Sequence, residues 1–148
     1  MEGMFLMKMR QQLEIDKNKI KFDVVFNIIH GTPGEDGLIQ KYFDGINMPY
    51  TGPNANNAKI TFNKNECIDF AKKLGLSCAK SIFISNNQIF DFEVFNKMEF
   101  PLFVKTNNSG SSFGVTKVND KDELKKNIEN LLGWGNGILV EESLNGTE

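Results

Sequence analysis

Short apolar runs alternate along this chain with stretches in which apolar residues recur every three or four positions, the patterns expected of strands and helices. Phe22–Ile29 reads FDVVFNII, a β-branched run bounded by charge before it and by His30-Gly31 after it. So little polar alternation predicts a strand covered on both faces, as in an α/β sheet. The turn-rich segment His30–Gly37 leads into Leu38–Asp44, where Leu38, Ile39, Tyr42 and Phe43 fall at helical spacing and Gly45 offers a left-handed stop. Pro49–Pro53 reads as a loop ending this first unit, with a linker expected near residues 50–60.

Beyond it, Thr61 is the expected N-cap of a helix that places Cys67, Phe70, Ala71 and Leu74 on one apolar face and stops at Gly75. Ser81–Ile84 predicts a strand and Phe90–Lys97 a short helix. Phe100–Lys105 and Phe113–Val118 predict two strands joined as a hairpin by the small-residue loop Asn107–Ser112. Asp120 followed by Glu123 has the form of a capping box, opening a helix with Leu124, Ile128, Leu131 and Leu132. Gly133–Gly137 breaks that helix, and Ile138–Val140 forms a last strand before Glu141-Glu142. A chain that stops at Glu148, just after a buried-looking strand, reads as cut rather than finished.

Composition narrows the classes. The chain has 148 residues, 40% of them hydrophobic, with a net charge of −2, enough apolar material for one globular domain or two small ones. A balance this mildly acidic argues against a nucleic-acid partner, and the absence of any apolar run near 20 residues argues against a membrane span. Arg10 is the one arginine, so a bidentate clamp on carboxylate or phosphate has to come from elsewhere. With two cysteines, Cys67 and Cys78, and one histidine, His30, a structural zinc site lacks its four ligands, and the thiols read as half-buried and unpaired. No secretory signal precedes the first strand, which points to the cytoplasm.

Two segments carry candidate chemistry. His30-Gly31-x-x-Gly34-Glu35-Asp36-Gly37-x-x-Gln40 sits where a strand passes into a helix, the place where open α/β sheets bind ligands. On the plain reading its glycines serve a tight turn, and Glu35 and Asp36 complement a helix N-terminus. In the second segment, Lys105 ends a buried strand and runs into Thr106-Asn107-Asn108-Ser109-Gly110-Ser111-Ser112. An ammonium there can sit over a bound phosphate while the loop adds N–H and hydroxyl donors. The Gly-Lys-Ser/Thr ending of a Walker A loop is absent, and a hairpin turn of small residues has the same composition. Leu139–Glu148 then takes an apolar strand into acidic residues and Leu144, a combination suited to an adenosine pocket and equally to a solvated acidic loop.

Taken in order, these pieces resemble the D-alanine–D-alanine ligase family of the ATP-grasp superfamily. HGTPGEDGLIQ is similar to the family's HGxxGEDGxxQ, and MPYTGPNANNAKITFNK to its PYTG…A…DK segment. FPLFVKTNNSGSSFGVTKV is similar to its P-VKP…GSS-GV-KV, and ILVEESLNGTE to its VE hinge followed by G-E. The likeness runs from about residue 22 to the end. It implies part of a pre-ATP-grasp α/β domain over residues 1–55, then the central ATP-grasp subdomain over 56–148, an α+β unit with an antiparallel sheet and helices on one face.

The resemblance also implies a reaction, in which ATP phosphorylates the carboxylate of one D-alanine and the amine of a second attacks the acylphosphate, for peptidoglycan synthesis. By position, Lys64, Lys105, Gly110 and Ser112 would hold the ATP phosphates, and Ser111 would orient the first-substrate side. Glu141, Glu142 and Leu144 would form the adenine hinge, Glu148 would bind ribose, and His30 would border the active site. ATP and D-alanine are the implied partners, with a homodimer as the family's common assembly. Mg²⁺ is the implied metal, its ligands falling outside these residues, as does the family's carboxylate-binding arginine. Asn63 replaces the usual Asp, Thr106 a common Pro, and Glu142 a frequent Lys. On this reading the 148 residues alone are inactive and the longer parent is an active ligase. The alternatives are a ligase using D-lactate or D-serine, or a nucleotide-binding module without catalysis.

Overall fold

The computed structural model describes residues 12–15, 18–87, 89–110 and 114–146. The chain divides into two compact units, Met1–Lys59 and Ile60–Glu148.

In the first unit, strands β1 (Gln12–Ile15) and β2 (Asn18–Lys21) pair antiparallel, a hairpin that the sequence reading did not anticipate. Helix α1 (Leu38–Gly45) forms as its spacing predicts, burying Ile39 and Phe43, which pack with Met48 to make this unit's core. Gly45 is not its stop. Asn47 takes the left-handed conformation (φ 54°) instead, beyond Ile46 at the helix end, and Asn is the residue after Gly that best tolerates it.

The predicted strand Phe22–Ile29 is corrected. Only Val25 makes a bridge, parallel to Tyr50, and Phe26 is 74% exposed with Val24 and Ile28 similarly open. A β-branched run becomes a strand only when a ladder forms along it. Here the pairing is confined to Val25 N–H on Pro49 O (2.8 Å) and Thr51 N–H on Val25 O (2.9 Å). Helix α2 covers Ala55–Phe62, so the second half of the segment expected as a linker near residues 50–60 is helical.

In the second unit, Asn63 rather than Thr61 caps helix α3 (Lys64–Lys73), accepting a hydrogen bond from Glu66 N–H at 2.9 Å. Thr61 lies inside α2. Asn63-x-x-Glu66 has the capping-box form, and its Glu66 carboxylate accepts from Asn63 Nδ2. The apolar face expected on α3 is not buried. Leu74 is 64% exposed, Phe70 is open as well, and the helix buries no residue. Gly75, with φ 78°, does end it.

Strands β3 (Ser81–Ile84), β4 (Leu102–Thr106), β5 (Val115–Val118) and β6 (Ile138–Glu142) form one antiparallel sheet in the order β3-β6-β4-β5. A 3-10 helix occupies Phe92–Lys97 and helix α4 Lys121–Leu131. Strand alternation then divides the side chains. Ile84, Leu102, Val104, Val118, Ile138 and Val140 face the core with Phe95, Met98, Leu124 and Ile128. This is the expected antiparallel sheet with its helical cover on one side. Asp120 caps α4 by accepting from Glu123 N–H at 2.8 Å, while the Glu123 carboxylate accepts from Asn119 N–H.

Candidate functional site

The opposite face of this sheet is where charge collects. The register sets Lys105 opposite Leu139 and Phe103 opposite Glu141 across β4 and β6, and Phe103 opposite Lys117 across β4 and β5. All five side chains therefore project from the face away from the core. Lys105 Nζ is ion-paired with the Glu141 carboxylate, both partly buried. The Phe103 ring lies between two ammonium groups, with Lys105 Nζ at 5.7 Å and Lys117 Nζ at 5.8 Å from its centroid, within cation–π range.

Lys64 is the first residue of α3. Its Nζ donates to Ser109 O at 2.8 Å, Ser109 Oγ at 3.2 Å and Asn107 O at 3.4 Å, which clamps the start of the loop leaving β4. Burial pushes the Lys64 amine below its ordinary pKa, the charge of Lys105 adds to this, and Glu141 opposes it. Between the lowered value and the ordinary one the unfolded chain binds more protons, so the Lys64 contribution to stability improves as pH rises through that window. At neutral pH the partly buried ammonium is charged and satisfied by the oxygens of Asn107 and Ser109. Lys105 is paired with Glu141 while Lys64 is held by Asn107 and Ser109, so the three charges sum to a net positive.

Gly110 follows the clamped residues and is half-buried; Ser111 and Ser112 lie outside the described residues, as does Glu148. Glu142 projects toward the core side, where its carboxylate binds Lys80 Nζ at 3.4 Å and accepts from Glu99 N–H at 3.2 Å. Its backbone N–H goes to Lys80 O and that of Ser143 to Pro101 O, so both are occupied at the mouth of the expected hinge. Leu144, just beyond, is 72% exposed and available to cover a flat ligand.

His30 belongs to the first unit. Its side chain is 85% exposed and its Nδ1 lies 3.9 Å from the Glu35 carboxylate. Around it the turn is closed internally, because Glu35 accepts from Gly31 N–H at 2.6 Å and Asp36 from Leu38 N–H at 3.0 Å. The plain reading of those two carboxylates, as partners of turn and helix N–H groups, describes what they do here.

The sequence did not assign four of these residues a role at the site. Lys117 and Phe103 follow from strand alternation once the register is known. Asn63 carried a signal in its spacing to Glu66. Asn107, 1% exposed, was legible only as one member of a polar loop. Among the described residues no three His, Cys, Asp or Glu side chains gather into a metal-binding group. Glu141, the carboxylate on this face, is engaged by Lys105, so these residues do not fit a magnesium ion and no step is assigned through one. Among the described residues no helix is long and apolar enough to cross a membrane.

Comparison with known proteins shows the family. The D-ala D-ala ligase N-terminus family matches residues 5–53, and the D-ala D-ala ligase C-terminus family matches residues 70–148. A D-alanine–D-alanine ligase of Flavobacterium psychrophilum is 45% identical over 129 residues, covering 86% of this chain and 39% of the relative. The ATP complex of the Bacillus anthracis D-alanine–D-alanine ligase superposes with a TM-score of 0.76 at 30% identity, covering 84% of this chain and 41% of that one. The VanG D-Ala:D-Ser ligase of Enterococcus faecalis does so with a TM-score of 0.77 at 34% identity, covering 87% and 38%. The chain spans about two fifths of the length of the curated relatives it matches.

Proposed function

The chain belongs to the D-alanine–D-alanine ligase family, and from that premise we propose that its second unit supplies the nucleotide side of an ATP-dependent ligase active in the cytoplasm. The observation that carries this is the placement of two ammonium groups against one carboxylate, with Lys64 held on the loop that leaves β4 and Lys105 at the end of that strand paired with Glu141. Lys64 and Lys105 would hold the phosphates, with Gly110, Ser111 and Ser112 covering them. Leu144 and the backbone beyond Ser143 would take the adenine, Glu141 and Glu142 would shape its hinge, and Glu148 would take the ribose.

In the proposed reaction a carboxylate oxygen of one D-alanine attacks the terminal phosphorus of ATP and ADP leaves. The amine of a second D-alanine then attacks the acyl carbon, releasing inorganic phosphate and a proton. Ser111 and His30 are assigned to the amino-acid side of this reaction. The choice of D-alanine over D-serine follows the more similar relative, which is a D-alanine–D-alanine ligase. Phosphoryl transfer rests on positioning and charge neutralisation, and two lysines supply only part of that. The 148 residues alone are therefore expected to release no phosphate from ATP and D-alanine, and a protein extended to the family's length is expected to do so. Phosphate release measured on both tests this, and turnover by the 148 residues alone contradicts it.

A further inference from the structure

We infer that Asn107 is a positioning residue for Lys64, a buried amide just past β4 that pins the first turn of α3 and so keeps the Lys64 ammonium on the loop leaving β4. Its value to a nucleotide depends on the function proposed above, whereas its hold on Lys64 is measurable with no nucleotide present.

Asn107 spends every polar group it has. Its side-chain Oδ1 accepts from Asn65 N–H at 2.9 Å, and its Nδ2 donates to Asn63 Oδ1 at 3.0 Å and to Asn108 Oδ1 at 2.9 Å. Its backbone carbonyl accepts from Lys64 N–H at 3.2 Å and from Lys64 Nζ, and its own N–H donates to Gly137 O at 2.9 Å. One side chain and its peptide groups thus join three elements: the start of α3, the end of β4 and the residue that leads into β6.

The arrangement has a chemical consequence. The first three N–H groups of α3 go to Asn107 O, Asn107 Oδ1 and Asn63 Oδ1, so this helix end has none of them left for an anion. Recognition of negative charge therefore falls to the Lys64 ammonium, whose position depends on the residue that occupies those N–H groups. A buried amide with all its bonds made holds one geometry, because any shift leaves a donor or acceptor unpaired away from water.

The test is competitive trace acetylation of the lysines in the full chain with acetic anhydride across pH, read by peptide mass spectrometry. The charges facing Lys64 are Lys105 from β4 and Glu141 from β6. In the unmodified sequence Lys64 is expected to titrate below an ordinary lysine and to be protected against the reagent. In Asn107→Ala its midpoint is expected to return toward the ordinary value and its protection to fall about tenfold, one hydrogen bond's worth. Lys105, held by Glu141, is expected to keep its own protection, a distinction that general loosening of the fold does not produce. A folded Asn107→Ala chain with Lys64 unchanged overturns the inference, as does an equal loss at Lys105. Should Asn107→Ala fail to fold, Asn108→Ala removes one acceptor of the Asn107 amide and leaves the Asn63 cap of α3 in place. A smaller shift of Lys64 in the same direction then supports the role, and no shift overturns it. A shifted Lys64 in a protein of family length that does not bind adenylyl imidodiphosphate leaves the positioning intact and removes the nucleotide reading.

Discussion

Lys105→Met is expected to lower kcat/KM for ATP by about 10²–10³-fold in a protein of the family's length, the usual cost of removing one preorganised electrostatic element. Methionine keeps most of the apolar stem and removes only the charge. The same change has a second effect, because Glu141 is left partly buried without its ion-pair partner. Breaking such a pair costs several kcal/mol when fully buried and little when exposed, so about 2 kcal/mol is expected at this intermediate depth. Adding Glu141→Gln removes the orphaned charge, and the double variant is expected to regain most of the stability and none of the activity. Urea unfolding and steady-state kinetics on the two variants separate these effects. If the double variant recovers both, Lys105 acts only as the partner of Glu141.

Gly137→Ala is expected to destabilise the second unit by about 3 kcal/mol, from backbone strain and overpacking together. Gly137 has a φ of 117°, and a Cβ placed on it would meet Ile84 O at 2.5 Å and the Phe83 ring at 2.9 Å. Its carbonyl also receives Asn107 N–H, so relief of the clash by backbone movement would pull on the residue that holds Lys64. Gly133 is the matched comparison. Its φ of 92° is also left-handed, yet nothing lies within 4 Å of the Cβ position. Gly133→Ala is therefore expected to cost about 1 kcal/mol, the conformational share alone. Denaturant midpoints of the two variants measure the difference, and equal losses would mean that Ile84 and Phe83 yield freely.

What could be read in the sequence follows from the range of each signal. Helix α4 was legible because its cap, apolar spacing and glycine stop are local, and the β4–β5 hairpin and β6 because short apolar runs and a small-residue loop mark them without knowledge of partners. Phe22–Ile29 misled for the opposite reason. Its composition fits a buried strand, but a strand is a property of pairs, and here only Val25 finds one. Thr61 and Asn63 are both plausible caps two residues apart, and only the hydrogen bond to Glu66 N–H decides between them. Within the site, Lys105 and Glu141 were nameable from the resemblance, yet their pairing depends on strand register. Asn107 carried no local mark, since its importance lies in joining residues 42 to 44 positions away.

The direct measurement of the central claim is the structure of the family-length protein with a non-hydrolysable ATP analogue bound. The account predicts phosphate oxygens about 3 Å from both Lys64 Nζ and Lys105 Nζ, with the Lys64 bonds to Ser109 exchanged for phosphate and Leu144 over the adenine. An analogue seated elsewhere, with Lys64 still on Ser109 and Lys105 still on Glu141, would contradict it.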